Sequence, residues 1–372
     1  MNILVAPDSF KESLSALEVS KTIKEAILKE MPNVQVNMYP MADGGEGILD
    51  TLVYATKGRL VEAVVSGPLG NKIYTEYGVL GDGKTVVIEI AKIAGLMQVS
   101  PSKRNPLNTT TYGIGEVIVH ALERGYRKFI IGLGGSATND GGLGMLQALG
   151  GLFLDEYGWE VPPFGASLMK LKKIDVSRLH PLLNKSDFVI ASDVMNPLCG
   201  TKGATYVFGA QKGATELQMQ QLDNAMKNYA NLIETEFNQS YQNKEGAGAA
   251  GGLGFAFMLL GSRLQSGAEL VAHTIGLKEA MKGAQWVITG EGKSDEQTMY
   301  GKVPVYIAKL AKEYNVKALL ISGSLGKGYE SLYEYFEACF SIINKPMPLE
   351  EAMNDAKELI FQQTRNIARM LS

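Results

Sequence analysis

The first forty residues, MNILVAPDSFKESLSALEVSKTIKEAILKEMPNVQVNMYP (1–40), read as strand, helix and strand. The apolar run at 2–6 has the length of a buried strand. Ser15, followed three residues on by Glu18, forms the sequence signature of a capping box and opens a helix. Val19, Ile23, Ala26 and Ile27 recur at helical spacing behind it, and Pro32 marks its end. Residues 34–40 read as a second strand. A β-α-β opening of this kind belongs to an open, mostly parallel sheet, so the chain is expected to be an α/β protein.

Outward from this start the rhythm changes and then returns. Segments 59–65, 72–80 and 84–91 are rich in Val, Ile and Tyr and are separated by the turn sequences SGPLGN and GDGK. They read as an antiparallel meander. A helix at 113–124, a strand at 128–133, a strand FVIAS at 188–192 and a long helix at about 215–237 follow. Leu217, Leu222, Ala225, Met226, Tyr229, Leu232 and Ile233 form the apolar stripe of that helix and are expected in the core. From 286 the β-α alternation resumes, with strands WVIT, KALLI and ACFSII, a helix at 303–314 and a last helix from about 349. The pattern implies a discontinuous α/β domain of residues 1–70 and 285–372, with a second α/β domain, 71–284, inserted in it.

The chain is 372 residues long, enough for two domains at about 150 residues each. A net charge of -3 and the absence of any Lys/Arg-rich block argue against nucleic acid as a partner. Cys199 and Cys339 are far apart, make no metal-ligand spacing, and suit a reducing, cytoplasmic compartment. The N-terminus has no basic n-region, so no secretory signal is expected. The longest uncharged stretch, Gly246 to Ser262, is too short and glycine-rich for a membrane span. Glycine is the outlier, at 42 residues, and its clustering implies loops where backbone approaches a ligand.

Five glycine-bearing polar loops follow apolar segments, where open α/β sheets bind ligands. In APDSFKESLSA (6–16), Asp8, Ser9 and Lys11 could hold a cation, a carboxylate or a phosphate; the alternative is a solvated turn. In ADGGEG (42–47), Gly44 and Gly45 can form an anion nest flanked by Asp43 and Glu46. In GLGGSATNDGG (132–142), Gly134, Gly135, Ser136, Thr138 and Asn139 stand between a strand and a helix, a phosphate-binding arrangement, and Asp140 could face a metal. This is no Walker A motif, because no Gly-Lys-Ser/Thr ends it. In the segment 192–214, Asp193 sits at a strand end where a catalytic carboxylate would project, and Lys202, Gln211 and Lys212 could reach anionic oxygens. In TGEGKSDEQTMYGK (289–302), Gly290 and Gly292 flank Glu291, Asp295 follows, and Lys302 closes the loop; a capping role for Asp295 is the plainer alternative. GAGAAG (246–251) fits a dinucleotide pattern, but no strand precedes it, so a close-packed helix start or another nucleotide-facing turn is the better reading.

Together, APDSFKESLSA, ADGGEG, GLGGSATNDGG, SDVMNPLCGTKGA, GAGAAGG and TGEGKSDEQT resemble the type-I glycerate kinase family in content and order, from residue 6 to residue 302. Two departures stand out: Ala210 where a proline is expected, and Lys293-Ser294 where an arginine and an aliphatic residue are expected. The resemblance implies a Rossmann-like domain with a flavodoxin-like domain inserted in it. It implies ATP-dependent phosphorylation of D-glycerate with Mg²⁺, giving 2-phosphoglycerate, with the 3-phosphate or another small hydroxy-acid as alternatives. On this basis Asp193 would accept the substrate hydroxyl proton, with Asp8 and Lys11 as further catalytic groups. Ser9, Gly44, Gly45, Gly134, Gly135, Ser136, Thr138, Asn139, Lys212, Gly290 and Gly292 would bind substrate or phosphate. Asp43, Asp140 and Asp295 are the candidate Mg²⁺ ligands. A non-catalytic anion-binding protein is the competing class, though carboxylates in the same loops repel anions unless a cation intervenes.

Overall fold

The structure, a computed structural model, describes residues 1–299 and 301–372; Tyr300, inside the last of the five loops, lies outside the described residues. The chain forms two compact units, residues 1–43, 50–56 and 267–372, and residues 44–49 and 57–266. These limits differ from the expected 70/71 and 284/285. Strand β3 (Arg59–Ser66) pairs along its whole length with β4 (Lys72–Val79), which carries residues 59–66 into the second unit. The two short helices after residue 266, Gly267–Thr274 and Leu277–Met281, belong to the first.

The first unit is a five-stranded parallel sheet. It contains β1 (Asn2–Val5), β2 (Gln35–Met38), β11 (Trp286–Ser294), β12 (Lys317–Leu325) and β13 (Ala338–Ser341), in the order β13-β12-β11-β1-β2. Counted within the unit this is 2-1-3-4-5, the flavodoxin-like order, with its switch point between β1 and β11. The flavodoxin-like part, expected in the inserted unit, is therefore the discontinuous one. The helix Ala16–Glu30 opens on the expected capping box: Ser15 Oγ accepts from the Glu18 amide, and Glu18 Oε2 accepts from the Ser15 amide. Its stripe, Val19, Ile23 and Ile27, packs into one core with Ile3, Val5, Ile288, Leu319 and Ile360. The expected last helix is two, Leu349–Asn354 and Ala356–Leu371. The longer of these is fastened to the first helix of the chain by Arg365 and Arg369, both on Glu30.

Strand β11 is longer than its apolar core suggests. The expected loop from Thr289 begins as strand, because β12 continues beside it and the pairing runs through Gly290↔Ile321 to Ser294↔Leu325. A Cβ on Gly290 would stand 2.1 Å from the Ile321 carbonyl oxygen, so this position serves backbone packing.

The second unit carries a six-stranded sheet in the order β10-β9-β6-β5-β4-β3. Here β5 (Thr85–Glu89), β6 (Lys128–Gly132), β9 (Asp187–Ala191) and β10 (Arg263–Gln265) are parallel, and the β3-β4-β5 meander is antiparallel as expected. The sheet order never reverses, so this unit has no switch point. A separate antiparallel pair joins β7 (Leu152–Leu154) and β8 (Lys173–Asp175). The helix Glu216–Phe237 buries Leu222, Ala225, Met226, Tyr229 and Ile233 in the main core, with Leu232 packed against it. Leu217 is the exception to the expected stripe: it lies in the first turn and is 64% exposed.

Candidate active site

In the first unit, the carboxyl ends of β1, β2 and β11 bring together side chains that lie far apart in the chain. A cavity of about 470 Å³ opens there, at the switch point where such sheets bind ligands. Asp8, Ser9, Lys11, Asp43, Glu291, Gly292, Lys293 and Lys302 line its polar part. Asp8 is held against β11 by its amide, which donates to the Gly290 carbonyl at 2.9 Å. Its carboxylate accepts from the Ser9 amide at 2.7 Å. Burial, together with the charges of Asp43 and Glu291, pushes the Asp8 carboxyl up to about 8, against the opposing pull of the Ser9 amide and Lys11. Lys11 Nζ reaches Asp43 at 3.1 Å.

Glu291 is the best-anchored member of this group. It accepts from Ser294 Oγ at 3.0 Å and Thr298 Oγ1 at 2.7 Å, and pairs with Lys302 Nζ at 3.3 Å. Ser294, one of the departures from the family pattern, is therefore used: its hydroxyl also meets Ser322 Oγ at 2.7 Å. Asp295 does not line the cavity. It pairs with Lys293 at 3.0 Å and accepts from the Gln297 amide, the capping role that was its alternative. The Lys293 ammonium holds its carboxyl below the usual range.

The second unit holds the remaining candidates. Gly44 packs on the end of β9, where a Cβ would come within 2.9 Å of the Ala191 backbone. Gly45 and Gly134 touch backbone to backbone: a Cβ on Gly134 would lie 2.3 Å from the Gly45 Cα. Just beyond the expected nest at Gly44 and Gly45, Glu89 accepts from the amides of Gly47 and Leu49. In the 132–142 loop only Gly134 and Gly135 reach the surface, and Ser136 through Asp140 are buried. Asp140 is fully buried and accepts from the Thr111 amide and hydroxyl, the Gly142 amide and the Gly144 amide. A carboxylate committed to four internal donors has no place for a metal, so Asp140 is not a Mg²⁺ ligand.

Lys212 is also internal. Its Nζ donates to Ser136 Oγ at 3.0 Å and to the Thr138 carbonyl at 2.6 Å. Burial pulls the ammonium down to about 7, against the charge of Asp140. It braces the glycine loop from beneath, whereas Lys202 and Gln211 are exposed. Asn139 Nδ2 donates to Thr205 Oγ1, while Thr138 Oγ1 and Asn139 Oδ1 have no hydrogen-bond partner among the described residues. Asp193 is exposed, two residues beyond the end of β9. GAGAAG is a close-packed helix start: Gly251 has φ +69° and a Cβ there would lie 2.0 Å from the Thr138 carbonyl oxygen.

Glu291 is the site residue that the sequence left unranked among its loop neighbours. Its flanking glycines are the signal, since Gly290 lets β12 close against the strand that carries Glu291. The apolar wall of the cavity, from Ile342, Ile343, Leu349 and Met353, has no signal in the sequence at all, because two separate C-terminal segments supply it.

Residues 3–372 match the family model described as glycerate kinase family. The glycerate kinase of Bacillus subtilis (strain 168) is 46% identical over 370 residues, covering 99% of this chain and 97% of that one. The glycerate 2-kinase of Escherichia coli (strain K12) is 44% identical over 374 residues, covering 100% and 98%. A crystal structure from Salmonella typhimurium LT2, described as a candidate glycerate kinase 2, superimposes with a TM-score of 0.88 at 43% identity, covering 100% and 98%. With matching order from end to end, the chain belongs to the glycerate kinase family.

Proposed function

We propose that the chain transfers the γ-phosphoryl group of ATP to D-glycerate, giving ADP and 2-phosphoglycerate. The observation that carries this reading is the charged lining of the first-unit cavity. Three carboxylates, Asp8, Asp43 and Glu291, stand there with three ammonium groups, Lys11, Lys293 and Lys302. A pocket for a bare anion gains nothing from three carboxylates. A pocket for a nucleotide with its divalent cation uses both signs.

Phosphoryl transfer asks the protein for positioning and charge stabilisation more than for covalent chemistry. Lys11 and Lys302 would hold phosphoryl oxygens. Asp8 and Asp43, hard oxygen donors at adjacent strand ends, would hold Mg²⁺, which neutralises charge on the phosphates when bound. Among the described residues no three acidic, His or Cys side chains form a metal site of their own. Mg²⁺ is usually carried by one or two carboxylates plus substrate phosphates. Gly134 and Gly135 offer backbone amides at the surface of the second unit, braced by Lys212. Asp193 accepts the proton of the substrate hydroxyl. The 2-phosphate is favoured because the Escherichia coli relative is named a glycerate 2-kinase.

Among the described residues no helix is long and apolar enough to cross a membrane. Cys199 and Cys339 are free thiols, in keeping with the reducing cytoplasm we propose for the chain.

The test is ADP release with Mg-ATP and D-glycerate, the product resolved by phosphorus NMR. Glycerate-dependent release with a 2-phosphate resonance supports the reading, and a 3-phosphate resonance corrects its regiochemistry. Asp193→Asn should lower kcat by about 10²–10⁴-fold with an unchanged denaturation midpoint. Near-normal turnover in that variant would remove Asp193 from the mechanism.

A further inference from the structure

We infer that the adenosine half of the nucleotide lies in the apolar part of the first-unit cavity, against Phe10, Ile342, Ile343, Leu349, Ala352 and Met353. The inference rests on the proposed ATP-dependent activity and assigns the base to one place within it. The sheet order segregates the lining of this cavity. The charged residues come from the ends of β1, β2 and β11, whereas Ile342 and Ile343 continue from β13, the far edge of the sheet. β13 is two strands from β11, about 10 Å at the usual strand spacing. A base and its ribose can span that distance to phosphates held at the charged end.

The apolar wall is built rather than incidental. Helix Leu349–Asn354 covers the β13 side, and Ser13 Oγ donates to the Met353 carbonyl at 2.7 Å, tying the helix to the loop that carries Phe10 and Lys11. Phe10 is itself fixed by a reciprocal pair of backbone hydrogen bonds with Leu14. Leu349, 74% exposed, and Ile343, 38% exposed, together leave apolar surface open along this lining. A volume of about 470 Å³ is in the range of pockets for nucleoside-sized ligands. Glycerate, a three-carbon acid with a polar group on every carbon, has no surface to match this wall. A flat heteroaromatic base does, and burying it there is favourable in proportion to the apolar area removed from water.

The experiment is calorimetric titration of Mg-ADP and of inorganic triphosphate into the full chain and into Ala352→Trp and Leu349→Asp. Ala352→Trp should fill the cavity and weaken ADP at least tenfold. Leu349→Asp, a change at an exposed position, should weaken it several-fold. Triphosphate affinity and the KM for D-glycerate should stay within twofold. Unchanged ADP affinity in either folded variant would overturn the assignment, as would equal loss of ADP and triphosphate, or a raised glycerate KM with ADP binding intact. If circular dichroism shows that Ala352→Trp does not fold, Leu349→Asp decides alone. ADP binding that weakens in both variants as stated, with a wild-type chain that releases no ADP with glycerate, would keep this inference and discard the substrate reading.

Discussion

The strand-end loops of the first unit and the glycine loop of the second unit share a composition, yet they do opposite things with their polar side chains. In the first unit, Asp8, Asp43 and Glu291 face a cavity, and burial, together with the neighbouring charges of Asp43 and Glu291, leaves the Asp8 carboxyl pushed up to about 8. In the second, Asp140, Lys212 and Ser136 are turned inward and bonded to the protein itself. Composition alone does not tell a ligand-facing carboxylate from a backbone clamp. Hydrogen-bond accounting does: a buried carboxylate whose acceptor sites are filled by amides is architecture.

This contrast can be broken or sharpened by substitution. Asp140→Ala should give the largest effect, a loss of about 3–5 kcal/mol of stability in urea titration, because it leaves buried amides of Thr111, Gly142 and Gly144 without an acceptor. A stable Asp140→Ala protein that has lost only metal dependence would reverse the assignment of Asp140. Asp8→Asn should do the opposite: kcat/KM falls about a hundredfold, while the denaturation midpoint holds or rises. With its carboxyl pushed up to about 8, Asp8 is mostly protonated at neutral pH, so a neutral amide of the same shape fits there and removes an unfavourable ionisation above that pH. A drop in midpoint with unchanged activity would mark Asp8 as structural.

Lys212→Met tests the brace beneath the glycine loop. In the wild type the lysine has a folded value of about 7, below its unfolded value, so the unfolded chain binds the extra proton between the two. The cost of burying the ammonium is fully present below pH about 7 and is relieved as pH rises towards the ordinary lysine range. The stability of the wild type relative to Lys212→Met should therefore increase with pH across that window, by at most about 1.4 kcal/mol per pH unit. A flat difference would mean that the lysine stays charged in its bonds to Ser136 and Thr138. The smallest effect belongs to a position remote from either site. Ser15→Ala should cost about 1 kcal/mol through loss of the helix cap, with kcat and KM unchanged.

Much of the architecture could be read from the chain because it is locally encoded. The capping box at Ser15 and Glu18, the spacing of Val19, Ile23 and Ile27, and the β-branched runs of the meander each depend on neighbours a few residues away. The family pattern likewise sits in short strings whose order is visible without coordinates. Where the sequence misled, a partner distant in the chain usually had the deciding role. β12 extends β11 through Gly290 and Ser294, and β4 draws 59–66 into the second unit. The break at Asp355, which divides the final helix, is the local exception.

The same division holds at the candidate site. Residue types near strand ends were legible as Asp, Lys and Gly because turn chemistry and strand length are local properties. Which way those side chains face was decided only on folding. Glu291 became central because Ser294, Thr298 and Lys302 converge on it, and Asp140 became a clamp because Thr111, 29 residues away, adds its amide and hydroxyl to the nearby Gly142 and Gly144 amides. The apolar wall at Ile342, Ile343 and Met353 came into being only when β13 and the helix after it closed over the end of the sheet. Solvent exposure and hydrogen-bond saturation are properties of the packed chain, and no short stretch of sequence carries them.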